Sequence, residues 1–297
     1  MTTRVEARAR AQARRRPRVG QHGRRRIGVT LTYLLCLACS AVMLLPLAWL
    51  VRSSFMQIEQ IFIFPPEWLP EPWSWDNYPD VFETVPAVRY FLNTLRIALL
   101  VVTGTVITAS LSAYGFARLR WPGRDVVFAV LMTTLMLPYA VTLIPTFILW
   151  SELGLTNTIV PLTLPAWCGG HIFYIFLLRQ FFRAIPRDLD EAAMLDGANP
   201  LRILWDIVIP LSRPALITVA IFSFLFTWND FLNPLIYLTD ERQFTLALGL
   251  SQFKGLYTSE WHLLMAASAM VITPILMLFF IAQRYFIQGI ALTGIKG

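Results

Sequence analysis

Charge is the first thing this sequence lacks: Asp, Glu, Lys and Arg make up 14% of its 297 residues, against 56% hydrophobic. That is too little to clothe a water-soluble globule of this length. The three cysteines, Cys36, Cys39 and Cys168, all fall in apolar runs, and there are only three histidines. Cys36-x-x-Cys39 has redox or metal spacing, but without a second pair or a nearby His it reads as two small apolar residues. No G-x-x-x-x-G-K-[ST] stretch occurs to cradle nucleotide phosphates, which excludes an ATPase in its own right. The apolar runs are continuous rather than alternating, which excludes a membrane β-barrel. A membrane-embedded enzyme would need clustered carboxylates, metal ligands or a nucleophile with its base, and the acidic groups here are spread through caps and loops.

What the sequence has in abundance is length of apolar run. About 20 apolar residues cross a bilayer as a helix, and six such runs occur, roughly 27–51, 91–117, 126–150, 158–178, 214–238 and 263–286. The expected fold is an all-α membrane protein of six transmembrane helices: an Arg-rich tail over 1–26, then one six-span domain over 27–297. The first run is too long for a signal peptide and lacks an A-x-A cleavage site, so it is expected to be retained.

Charge placement orients the spans. Ten arginines precede the first run, and Arg118, Arg120, Arg124, Arg179, Arg183, Arg187, Arg202 and Arg213 fall on the same predicted side. The positive-inside rule places that side, with both termini, in the cytoplasm. Acidic residues such as Glu59, Glu67, Asp76, Glu152, Asp240 and Glu260 collect outside. The Arg-rich head reads as topology signal and lipid contact; no base-reading pattern accompanies it, so no nucleic-acid partner is expected. The long outer loop, 52–90, carries Trp68, Trp73 and Trp75 among prolines, read as interfacial anchors or a docking surface.

One hydrophilic interruption, 179–213, is too long for a turn. Asp188 at N-cap spacing from Glu191 predicts a capping box, and Gly197 is placed to end that helix in a left-handed turn. Asn199-Pro200 predicts a second start, followed by a stripe of Leu201, Leu204, Ile207 and Val208 that Pro210 and Pro214 terminate. The expected product is a helix–Gly–helix elbow over 187–210 on the cytoplasmic face, with an acidic tip.

The stretch "EAAMLDGANPLRILWDIVIP" resembles the EAA motif of ABC importer membrane subunits: Glu-Ala-Ala, three residues, Gly, nine residues, Ile, one residue, an aliphatic residue and Pro. Glu191, Ala192, Ala193, Gly197, Ile207 and Pro210 match, with Ile209 where Leu is usual. "AYGFARLRWPGR", "TWNDFLNPL" and "QRYFIQGIALTGIKG" are similar to segments of the carbohydrate-uptake branch, the maltose and glycerol-phosphate type. The resemblance implies a type I importer permease of the bacterial cytoplasmic membrane, half of a heterodimer with a second permease. It implies docking on a cytoplasmic ATPase dimer and sugar delivered by an extracytoplasmic solute-binding protein. No cofactor is then expected in this chain, ATP being bound by the partner ATPase. By the same resemblance Glu191 makes a polar contact with that ATPase, Ala192 and Ala193 pack in its groove, and Asp196 lies at the tip. Gly197 makes the turn, while Ile207 and Pro210 fix the second helix.

Polar groups inside spans face a cavity or a partner because burying them in lipid is costly. Asn229, Asp230 and Asn233 on the fifth run, and Asn93 and Arg96 on the second, are the candidates for a substrate path or for hydrogen bonds between helices. His171, beside Gly169 and Gly170, is read as packed rather than as a proton relay. The alternative function is an ion-coupled secondary transporter of a small polar solute, which would need paired intramembrane carboxylates or an internal repeat.

Overall fold

The computed structural model describes residues 19–169, 171–254 and 260–294, with side chains from 28 to 283 in those stretches. Residues 1–18 of the Arg-rich tail, and the side chains of Arg284 and Lys296 behind the C-terminal orientation, lie outside the described residues. All the elements that follow are helices.

The chain divides into two units, 1–53 and 54–297. The first is built on α1 (Val19–Ser53), whose segment Gly28–Ser53 of 26 residues is long and apolar enough to cross a membrane. It rises about 39 Å, more than a hydrocarbon core about 30 Å thick. Leu31, Leu37 and Met43 on it are exposed, as a lipid-facing stretch requires.

In the second unit, α2 (Asn77–Thr84) leads through Pro86 into α3 (Ala87–Ala117), the helix around which the rest is built. Ahead of α2, Asn77 donates to the carbonyls of Ser54 and Met56 at 3.0 and 2.8 Å, and Trp73, Trp75 and Tyr78 gather round Phe55. The 52–90 segment is therefore ordered, with one helical turn at Ile58–Ile61 besides α2. On α3, Ala98, Thr105, Ala109, Ser110, Ala113 and Ala117 are all buried. Small side chains let helices approach closely in lipid, where apolar attraction between helices is weak. Along that face lie α6 (Val160–Trp167), α7 (Ile172–Ala184) and α10 (Arg213–Trp228).

A close approach to α6 is at Gly104, where a Cβ would sit 2.7 Å from Nε1 of Trp167; nearby, Thr108 donates to the Ala166 carbonyl at 2.9 Å. We expect Gly104→Val to destabilise the protein by about 1–3 kcal/mol through overpacking. Gly115→Ala, where a Cβ meets nothing within 4 Å, is the control. Thermal unfolding in detergent checks this, and equal midpoints for the two variants would reject it.

Three of the six expected runs are interrupted. The third, read as one crossing over 126–150, is two helices, α4 (Arg124–Thr134) and α5 (Tyr139–Glu152), meeting at 97°. Pro138 is the cause: it lacks an N–H and turns the residue before it away from the helical region. The fourth run breaks between α6 and α7, where Gly169 has φ +119°.

The fifth run ends at Trp228 and restarts as α11 (Leu232–Tyr237). At 16 residues α10 is too short to cross alone; it reaches that length with the elbow's second helix, from which it bends by 81°. The last run is a single helix, α12 (Trp261–Gly294). Among the described residues four segments are long and apolar enough to cross a membrane, and up to six if each bent pair is one crossing.

Candidate functional site

The elbow is anchored on the C-terminal end of α3. Arg118, the residue that caps that helix, is buried; its Nη2 donates to the Ile185 carbonyl at 2.8 Å and its Nη1 lies 3.1 Å from Oδ2 of Asp190. Beside it Arg179, from the last turns of α7, donates to the Phe116 carbonyl at 3.3 Å. Its guanidinium lies 4.0 Å from the centre of the Phe128 ring, and Nη2 lies 3.5 Å from Asp125. Two arginines thus stitch α3, α4, α7 and the elbow together at one place.

The elbow's first helix is α8 (Asp188–Leu195). The expected capping box does not form: Arg187, not Asp188, is the N-cap, and no side chain caps the end. Asp188, Asp190 and Glu191 instead occupy the first turn, where carboxylates favour the positive end of the helix dipole. Asp190 is the exception among them in being buried, which places it on Arg118 rather than at the tip.

The stop falls where expected. Gly197 has φ +80°, its N–H donates to the Met194 carbonyl at 3.0 Å, and that of Ala198 donates to the Ala193 carbonyl at 2.9 Å. This paired pattern satisfies the last carbonyls of the helix and needs a left-handed residue, which glycine adopts without strain. Asn199 then caps the second helix, accepting from the Arg202 N–H at 2.8 Å, with Pro200 in the first position as expected.

This second helix, α9 (Pro200–Ile203), runs into a wider turn over Leu204–Val208 and a last turn over Ile209–Leu211. Pro210 does not terminate it. The wider turn, with the Ile209 N–H bonded back to Leu204, accommodates the donor that Pro210 lacks, and the helix ends at Ser212. Ile203, Leu204 and Val208 are buried and Ile207 packs beside them, whereas Leu201 is exposed.

The matched motif residues therefore divide. Ala193 and Ile207 pack on the chain's own core, Pro210 is half-buried, and Glu191, Ala192 and Gly197 are exposed, as is Asp196 beside them. The tip is also more apolar than expected: Met194, Leu195, Leu201 and Trp205 are exposed, Leu195 at 90%.

Farther along, a cavity of about 240 Å³ is lined by Tyr139, His171, Phe226, Asp230, Asn233 and Tyr237, among others. Asn233 donates to Asp230 at 2.8 Å and accepts from the Tyr139 hydroxyl at 2.6 Å. His171 makes edge-on ring contacts with Tyr174 and Phe226, yet it is exposed and lines the cavity rather than being packed away. Asn229 does not share their helical face, because the helix breaks after it; its amide returns to the Leu225 carbonyl at 2.8 Å. Asn93 lies elsewhere and binds the carbonyls of Arg242 and Phe244 at 2.9 and 3.0 Å, and Arg96 is exposed.

Sequence reasoning took Arg118 and Arg179 only as orientation signals. The clue to more was their position: Arg179 interrupts "IFLLRQFF", where a charge must find a partner. Tyr139 had no such signal.

Comparison with known proteins agrees with this architecture. Residues 105–292 match the family described as "Binding-protein-dependent transport system inner membrane component". The diacetylchitobiose uptake system permease protein NgcG of Streptomyces coelicolor is 30% identical over 256 residues, 86% of this chain and 84% of that protein. The arabinooligosaccharides transport system permease protein AraQ of Halalkalibacterium halodurans is 32% identical over 259 residues, 85% of this chain and 91% of that one. In fold the chain is similar to a bacterial ABC transporter involved in the import of the acidic polysaccharide alginate. The TM-score is 0.78 at 24% identity, covering 88% of this chain and 97% of that one. With an elbow of this spacing closing an all-helical membrane unit, and a family match over more than half its length, the chain belongs to the binding-protein-dependent transport system inner membrane components, the permease subunits of ABC importers.

Proposed function

We propose that this chain is the sugar-transporting permease subunit of a bacterial importer, docking through its elbow on a cytoplasmic ATPase dimer that binds the ATP. The observation that carries this reading is the exposed apolar tip: Met194, Leu195 and Leu201 stand out from an elbow otherwise fixed to the core. Exposed apolar groups rimmed by Asp188, Glu191 and Asp196 mark a protein contact. In this reading α4 with α5, α6 with α7, and α10 with α11 each make one crossing, giving six with both termini in the cytoplasm. The second half of the path comes from a different permease subunit, and an extracytoplasmic binding protein delivers the sugar. Two relatives are named for sugar uptake, which supports that substrate class. The ion-coupled alternative finds no support in either.

Affinity purification of the tagged chain in mild detergent, with mass spectrometry of what accompanies it, tests the assembly. One ATPase and one second permease are expected; the chain alone, even after cross-linking, would count against it.

We place the substrate path at the Asp230, Asn233 and Tyr139 cavity. An Asp230→Ala/Asn233→Ala double variant is expected to lower sugar uptake about tenfold, since each lost hydrogen bond is worth about 0.5–1.5 kcal/mol and more when charged. Normal uptake with the complex intact would assign the pair to helix packing.

A further inference from the structure

We propose that Arg118 and Asp190 are the positioning pair through which movement of the elbow reaches the core helix α3. This rests on the reading of the elbow as the ATPase contact. Three observations carry it.

The first is the placement of the pair. Arg118 follows the last residue of α3, the most extensively buried helix in the second unit, and Asp190 lies in the first turn of α8. Their contact of 3.1 Å joins the element that meets the ATPase directly to the one on which α6, α7 and α10 pack.

The second is burial. The Arg118 and Asp190 side chains are 3% and 10% exposed, so water neither screens the attraction nor replaces either partner. By contrast the elbow's other ion pair, Arg202 with Asp206 at 3.1 Å, has both side chains more than 60% exposed and holds nothing outside its own helix. Of these two elbow pairs, the buried one bridges elements.

The third is the fork. The guanidinium holds Asp190 with Nη1 and the Ile185 carbonyl with Nη2 at 2.8 Å, gripping the elbow just before and just inside α8. A planar two-pronged contact resists rotation as well as separation, which a single ammonium contact does not. Arg179 braces the same place from behind through the Phe116 carbonyl, two residues before Arg118. Asp125, the carboxylate nearest Arg179, lies 71% exposed, so it does not compete as a buried partner for Arg118.

The test uses the complex purified from its host, with hydrogen–deuterium exchange followed over 187–200 and 110–118, before and after adding ATP with vanadate. In the native complex exchange should change in both segments. In an Arg118→Gln/Asp190→Asn double variant, which removes both charges and leaves neither stranded, the elbow segment should still respond. The 110–118 segment should lose at least half of its response, and Asp190→Glu alone should keep it. A double variant in which both segments respond as in the native complex would overturn the proposal. So would one in which Asp190→Glu behaves like the double variant, since that change keeps the carboxylate charge on which the contact depends. If the elbow fails to respond in the native complex itself, the docking reading of the elbow fails instead, and the two failures are told apart by which segment is silent.

Discussion

Gly197→Val should remove most of the ATPase recovered with the purified chain. A side chain at φ +80° costs about 1–2 kcal/mol for an ordinary L residue, and a β-branched one is a rarer outlier still. The open space around Gly197, with nothing within 4 Å of an added Cβ, means that the penalty lies in the backbone and not in a clash. It falls on the turn that pairs Gly197 with Met194 and Ala198 with Ala193. Relief of the strain would therefore unwind the last turn of α8 and turn Leu195 away from its place on the tip. Recovery of the ATPase, measured by quantitative mass spectrometry against the tagged chain, should fall about tenfold, the factor that 1.4 kcal/mol represents. Gly197→Asn, whose side chain tolerates the left-handed region, should stay within about twofold of the native chain. A Val variant that recovers as much ATPase as the native chain would show that the turn is not required.

Arg118→Met should lower thermal stability more than any exposed charge substitution in the elbow. It leaves Asp190 inside the protein without its cation, and stranding one partner of a buried pair costs about 3–5 kcal/mol. The Ile185 carbonyl loses its donor as well. Arg202→Met, which breaks an exposed pair, should cost under about 1 kcal/mol. Adding Asp190→Leu to Arg118→Met should restore most of the loss, because an apolar pair strands no charge. Unfolding midpoints in one detergent give the whole cycle. Additive losses in the double variant would mean that the two side chains are not coupled.

Much of this was legible in the residues. Gly197, and Asn199 followed by Pro200, carry their conformations with them, because only certain residue types take a left-handed turn or a helix start without penalty. The six apolar runs were legible because their composition has no other use. Where runs break was less so. Pro138 does bend its run, yet Pro46 and Pro274 lie inside continuous helices, so a proline permits a break without requiring one. The partner of Arg118 was not legible, since Asp190 lies more than 70 positions away and other carboxylates in the same elbow, Asp188, Glu191 and Asp196 among them, satisfy the same local rules. Choosing among them needs the packing of α3 on α7, which exists only in three dimensions.

The 81° bend at Ser212 makes the second elbow helix and α10 the two arms of a crank. The twelve residues of Pro200–Leu211 give an arm about 18 Å long and the sixteen of α10 one about 24 Å, at 1.5 Å per residue. Turned about Ser212 as a unit, a push of about 3 Å at the Pro200 end becomes a sweep of about 4 Å at Trp228, by the ratio of those lengths. The far arm ends just before Asp230. In the proposed coupling the displacement at the cavity wall would therefore exceed the displacement at the elbow.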